Sequence, residues 1–188
     1  MLTAANLITL FRIGLLPAFV VCFMYMKSNP AMTWIALMIF TLAAVLDAVD
    51  GFVARAFRQQ TRLGAFLDPL ADKLLVTLVY ILGVKYGIPL YVTVLVLSRD
   101  ILIVIGWGAL HVFDRDAEIR PIWISKVNTV VQFVTAILVL LDIALAPAGG
   151  LPGRVISAAL LLTVATTLIS GGACFVEWYR RMGGFTRS

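Results

Sequence analysis

The chain has 188 residues, of which 62% are hydrophobic and 13% charged, with a mean hydropathy of +1.02. An ordinary soluble domain carries about 25% charged residues, so this composition excludes a soluble globular protein and implies an integral membrane one. Its two cysteines, Cys22 and Cys174, stand in no CxxC or Cys/His spacing, which argues against a zinc site or a disulfide framework.

Crossing the hydrocarbon takes about 20 mostly apolar residues in a helix. Such stretches fall near 8–26, 31–50, 67–86, 89–111, 124–145 and 154–178, predicting one all-α, six-span domain over 1–188. The first apolar run has no charged leader and exceeds the usual length of a signal, so it is expected to remain as a span. Spans five and six are joined by "APAGGLPG", residues 146–153, which reads as a turn. Asp142, Glu177 and the lone His111 lie near span ends, where they are most simply interfacial residues. Gly83 and Gly87 form a GxxxG pair at a helix end, a weak dimer signal there.

The net charge of +5 separates by side once laid on these spans. Arg12, Arg55, Arg58, Arg62, Lys73, Arg115, Arg120, Lys126, Arg180, Arg181 and Arg187 fall on one side, and only Lys27, Lys85 and Arg154 on the other. The richer side is expected to face the cytoplasm. An even number of spans places both termini there, as in a multi-pass protein of a bacterial-type plasma membrane.

The stretch "LDAVDGFVARAFRQQTRLGAFLDPLADKLL", residues 46–75, breaks this apolar pattern. Asp47, Asp50, Gly51, Ala54 and Arg58 recur at helical spacing along one stripe, flanked by Arg55. Gly64, Asp68, Asp72 and Leu75 form a second stripe, in which Asp68 before Pro69 has the order of an N-cap and first helical position. Facing carboxylates repel at low dielectric and must be protonated, paired or bound to cations. An all-oxygen donor set suits Mg²⁺, Mn²⁺ or Ca²⁺. Small residues beside them leave room for a flat or bulky ligand, and Arg55, Arg58 and Arg62 can bind phosphate. These are the parts of a metal-assisted phosphoryl-transfer site. Arg58 and Arg62, taken alone, read equally well as solvated boundary charges.

Asp47-x2-Asp50-Gly51-x2-Ala54-Arg55-x8-Gly64-x3-Asp68-x3-Asp72 resembles the CDP-alcohol phosphotransferase signature at every position. The resemblance implies the fold of that family, a six-span homodimer, and two divalent cations, Mg²⁺ or Mn²⁺. It implies transfer of a phosphatidyl group from CDP-diacylglycerol to an acceptor hydroxyl with release of CMP, with membrane lipids and no nucleic acid as partners. Asp47, Asp50, Asp68 and Asp72 are then the expected metal ligands, and Asp72 also the general base. Asp50, Gly51, Ala54, Arg55, Gly64 and Asp68 are expected to hold the cytidine diphosphate. Asn6-x2-Thr9-x2-Arg12 resembles an N-terminal motif of the glycerophosphate-using and cardiolipin-forming branches, which adds Asn6 and Thr9 to that set, though the motif also reads as an interfacial anchor.

Arg99 and Asp100 sit in the middle of the fourth apolar run, where a charge is a functional candidate by default. A structural clamp is the plainer reading, but the glycerophosphate branch has an Arg-acidic pair here that helps receive the acceptor. In "IRPIWISKVNTVVQ", residues 119–132, Lys126 and Asn128 stand where glycerophosphate-using members show two lysines in a GKxKT pattern. Trp107 and Gly108 stand where that branch has another arginine. A phosphomonoester dianion calls for more cations than a phosphodiester. "LSRDILI" and "RPIWISKVNTVVQ" moreover look like the eukaryotic-type, CMP-forming cardiolipin synthases. Phosphatidylglycerol is therefore the expected acceptor, held by Arg99, Arg120, Lys126 and Asn128, with cardiolipin as product. Glycerol 3-phosphate is the alternative acceptor. A small cation or proton transporter and a purely structural membrane protein are the readings from other classes; neither uses the Gly, Ala and Arg spacing.

Overall fold

The computed structural model describes the backbone of residues 4–57, 62–113 and 123–185, and the side chains of residues 11–46, 73–105 and 123–178. Six long helices make up these parts: α1 (Ala4–Tyr25), α2 (Pro30–Phe57), α3 (Arg62–Gly83), α4 (Leu90–Phe113), α5 (Trp123–Leu145) and α6 (Gly153–Phe185). Short 3-10 turns at Val84–Tyr86 and Ala146–Ala148 follow α3 and α5. Even α1 and α3, with 22 residues each, reach about 33 Å at 1.5 Å per residue, comparable with the hydrocarbon thickness. By length together with apolarity, two segments among the described residues can cross a membrane, Trp123–Ala148 and Gly153–Trp178. Phe11–Tyr25 and Pro30–Leu46 form shorter apolar segments.

The helices bury one stripe each, at the spacing their sequences dictate. On α2 the stripe is Thr33, Ala36, Phe40 and Ala43, and on α4 it is Val92, Val96 and Arg99. An aromatic row ties the elements together: Phe19 of α1 lies 5.7 Å from Phe23 and 6.1 Å from Phe40 of α2, which lies 5.6 Å from Phe133 of α5. Phe23 meets Tyr86 edge-on at 5.2 Å. Met24 and Met38 point outward, 71% and 69% exposed, with Leu102 and Leu161 each 65% exposed. Buried positions meanwhile include Arg12, Arg99, Asp100, Asn128, Gln132 and a set of threonines. Apolar outside and partly polar inside is the arrangement of a chain whose solvent is lipid.

In such a core, packing supplies most of the helix association. Phe40→Ala, which empties the centre of the aromatic row, is expected to cost about 3 kcal/mol, read as a lower melting temperature of the purified protein in detergent.

Three expectations are revised. Asp68 is not an N-cap, because α3 already begins at Arg62 and runs through Pro69. Proline within a membrane helix is tolerated where neighbouring groups satisfy the freed carbonyl. Arg12 is not at a solvated end but fully buried on α1, which the helix achieves by continuing its inner stripe to Phe19 and Phe23. Asp142 is more than an interfacial residue: its Oδ1 accepts a hydrogen bond from the Leu151 amide at 2.7 Å and closes the α5–α6 turn. Gly149 and Gly150 shape that turn at φ 103° and 68°, and a Cβ at Gly150 would come within 2.8 Å of the same carboxylate.

Candidate active site

The signature residues distribute over two consecutive helices. Asp47, Asp50, Gly51, Ala54 and Arg55 belong to the last three turns of α2, and Gly64, Asp68 and Asp72 to the first three turns of α3. Helical register therefore places Asp47, Asp50 and Ala54 on one stripe and Gly64, Asp68 and Asp72 on another. Asn6 and Thr9 lie in α1. The side chains of all these residues lie outside the described set, as do Arg58 and Arg120 entirely. Among the described residues, no group of three or more His, Cys, Asp or Glu side chains is placed to hold a metal. The donor chemistry of the signature nonetheless fits a hard divalent cation, with two carboxylates from each helix.

Lys73 is partly buried and its Nζ lies 3.1 Å from Oδ1 of Asp100 on α4. The same oxygen accepts a 2.6 Å bond from Nη1 of Arg99. Nη2 of Arg99 donates to Ser125 Oγ on α5 at 2.6 Å and to Ser170 Oγ on α6 at 2.7 Å. α4, α5 and α6 thus meet at one guanidinium, and Lys73 of α3 joins them through Asp100. Arg99 is only 4% exposed and Asp100 only 8%, so neither charge could remain there alone; each is held by charge-assisted bonds. Among the described residues the cluster holds two cations to one anion.

Lys126, in the first turn of α5, is exposed, its ammonium 5.8 Å from the ring centre of Trp123. Asn128 is fully buried in the α5–α6 seam. Its Oδ1 accepts from Thr166 Oγ1 at 2.9 Å and Thr167 Oγ1 at 3.0 Å, so its oxygen is engaged by α6. Lys126 and Asn128, two residues apart, consequently face different surroundings.

The serines and threonines of this seam were not singled out from the sequence. Thr163, Thr166, Thr167 and Ser170 recur at i, i+3, i+4 and i+7 in an otherwise apolar helix. That periodicity was the available signal, although it cannot by itself say that Ser170 meets an arginine from α4.

Comparison with known proteins bears on the signature helices directly. The CDP-alcohol phosphatidyltransferase family matches residues 2–169, nearly the whole chain. The chain belongs to this family. It is 38% identical over 135 residues to the CDP-diacylglycerol–glycerol-3-phosphate 3-phosphatidyltransferase of Escherichia coli (strain K12), an alignment covering 69% of this chain and 71% of that protein. The proteins of the same name from Shigella flexneri serotype 5b (strain 8401) and Shigella sonnei (strain Ss046) match to the same extent. The chain is accordingly a membrane enzyme of the phosphatidyltransferase class, and Lys73–Asp100 joins its signature helix α3 to the arginine of α4.

Proposed function

We propose that this six-span enzyme transfers the phosphatidyl group of CDP-diacylglycerol to a hydroxyl of glycerol 3-phosphate, forming phosphatidylglycerophosphate and CMP. The acceptor rests on one observation, the 38% identity to transferases named for glycerol 3-phosphate. This reverses the order of the two acceptors weighed from the sequence. The reaction class rests on the family match and on the complete signature carried by α2 and α3.

Within this reading, Gly51, Ala54, Arg55 and Gly64 hold the cytidine diphosphate, with Asn6 and Thr9 closing over it. Asp47, Asp50, Asp68 and Asp72 would hold divalent cations, which when bound neutralise the diphosphate and stabilise departing CMP. Asp72 accepts the proton of the attacking hydroxyl. The acceptor oxygen forms a bond to the phosphatidyl phosphorus as the bond from that phosphorus to the CMP oxygen breaks. Arg99, poised by Asp100 and the two serines, draws the acceptor phosphate towards Asp72, with Lys126 and Arg120 adding charge at the mouth. That side faces the cytoplasm, where the positive charges of the loops gather.

A second reading keeps the chemistry and takes phosphatidylglycerol, giving cardiolipin. One observation favours it: this turn of α5 offers Lys126 alone, because position 128 is an asparagine enclosed by Thr166 and Thr167. A single lysine suits the single charge of a phosphodiester.

The two are separated by supplying purified protein with CDP-diacylglycerol and Mn²⁺, then glycerol 3-phosphate or phosphatidylglycerol in separate reactions, and weighing the lipid products by mass spectrometry. Phosphatidylglycerophosphate is expected, at a rate at least about tenfold above any cardiolipin, a gap corresponding to 1.4 kcal/mol in the barrier. Cardiolipin alone would overturn the acceptor, and no CMP release with either would overturn the reaction.

A further inference from the structure

We infer that Ser125 and Ser170 are positioning residues that aim Arg99 at the acceptor phosphate and so set acceptor affinity; this rests on the acceptor-binding role proposed for Arg99. A guanidinium has five N–H donors in a rigid plane. In this protein three bonds engage it, from Nη1 to Asp100 and from Nη2 to Ser125 and Ser170. Both hydrogens of Nη2 are thereby taken by hydroxyls that arrive from two different helices, α5 and α6. Two hydroxyls and one carboxylate, bonded to both of its terminal nitrogens, restrain its rotation about the long side-chain stem.

What this fixing leaves over points to a ligand. Nε of Arg99 is buried and has no hydrogen-bond partner among the described residues, and a buried donor without an acceptor is costly. A residue recruited only to join α4, α5 and α6 would be expected to satisfy all its donors, since serine and threonine hydroxyls are plentiful along this seam. An anionic oxygen approaching Arg99 would supply the missing acceptor. The described charges favour it, because Asp100 is shared between Arg99 and Lys73, two cations to one anion among the described residues. The serines hold the guanidinium without adding negative charge that would repel a phosphate. A carboxylate at either position would neutralise the cluster, whereas a hydroxyl orients it and leaves its charge intact.

The inference is tested with Ser125→Ala and Ser170→Ala in the full-length protein, using Ser170→Thr to restore the hydroxyl and Ser157→Ala, on the exposed face of α6, as a control. KM for the acceptor and for CDP-diacylglycerol are measured separately, with glycerol 3-phosphate and phosphatidylglycerol each offered to the wild type first. Each alanine variant is expected to raise acceptor KM about tenfold, the scale of one charge-assisted hydrogen bond. KM for CDP-diacylglycerol should stay unchanged, and Ser170→Thr should recover most of the loss. Unchanged acceptor KM, or both KM values moving together, would overturn the positioning role. A fall in melting temperature and kcat with acceptor KM unmoved would do the same, leaving a structural clamp. If an alanine variant fails to fold, failure of well-folded Ser170→Thr to keep wild-type acceptor KM overturns it. Wild-type protein that uses neither acceptor would defeat the proposed function first, and this inference with it.

Discussion

Asp72→Asn is expected to lower phosphatidyl transfer by about a thousandfold while leaving a folded, membrane-inserted protein. Loss of a positioned general base alone typically removes 10²–10⁴ of rate, and asparagine also gives up the negative charge expected to face a cation. The change is nearly isosteric, and the fold around it is anchored elsewhere. Leu75, Val76, Val79 and Tyr80 continue α3 into the core, all of them buried, and Lys73 ties the same turn to Asp100. The check is CMP release from CDP-diacylglycerol in the presence of acceptor, alongside a thermal melt in detergent. More than a tenth of wild-type rate from the asparagine variant would remove Asp72 from the chemistry. Normal melting with lost turnover would separate chemistry from folding, which a simple activity loss does not.

Arg99→Ala is expected to have two large effects with different origins. Breaking one side of a buried ion pair costs roughly 3–5 kcal/mol, because among the described residues Asp100 would keep only Lys73, and the hydroxyls of Ser125 and Ser170 would lose their bonds to Arg99. Acceptor-dependent turnover should fall by at least about a hundredfold, equivalent to some 2.7 kcal/mol of lost transition-state binding. The double variant Arg99→Ala, Asp100→Ala divides the two effects. It strands no buried carboxylate, and the 27% exposed Lys73 side chain can turn toward water, so much of the melting temperature should return. Activity should not. Recovery of both together would mean that Arg99 serves only to neutralise Asp100.

The enclosed Asn128 shows where reading by spacing goes astray. Counting along "SKVNT" puts Lys126 and Asn128 two residues apart and invites a shared role in the acceptor site. A helix turns about 100° per residue, so two residues separate by some 200°. Lys126 is exposed over Trp123, and Asn128 turns into α6. The pair differs because position 128 lies on the same inner stripe as Gln132 and Thr135, all buried. Similarly, the proline after Asp68 looks like a helix start, yet α3 begins at Arg62. Local preference gives way when a helix is long and its neighbours enclose it.

By itself the sequence determined a great deal about this protein. Its hydropathy implied a membrane chain, six apolar runs foretold where α1 to α6 lie, the aspartate spacing pointed to metal and phosphate, and resemblance to a known signature named the family that comparison then showed. Those features survive in one dimension because helix length and register depend on nearest neighbours along the chain. The tertiary structure alone decided that Lys73, Arg99, Asp100, Ser125 and Ser170 form one cluster. Its members come from α3, α4, α5 and α6 and are separated by up to 97 positions in the chain. No local rule relates such residues; they meet because lipid offers buried charges no water, and only other helices can satisfy them.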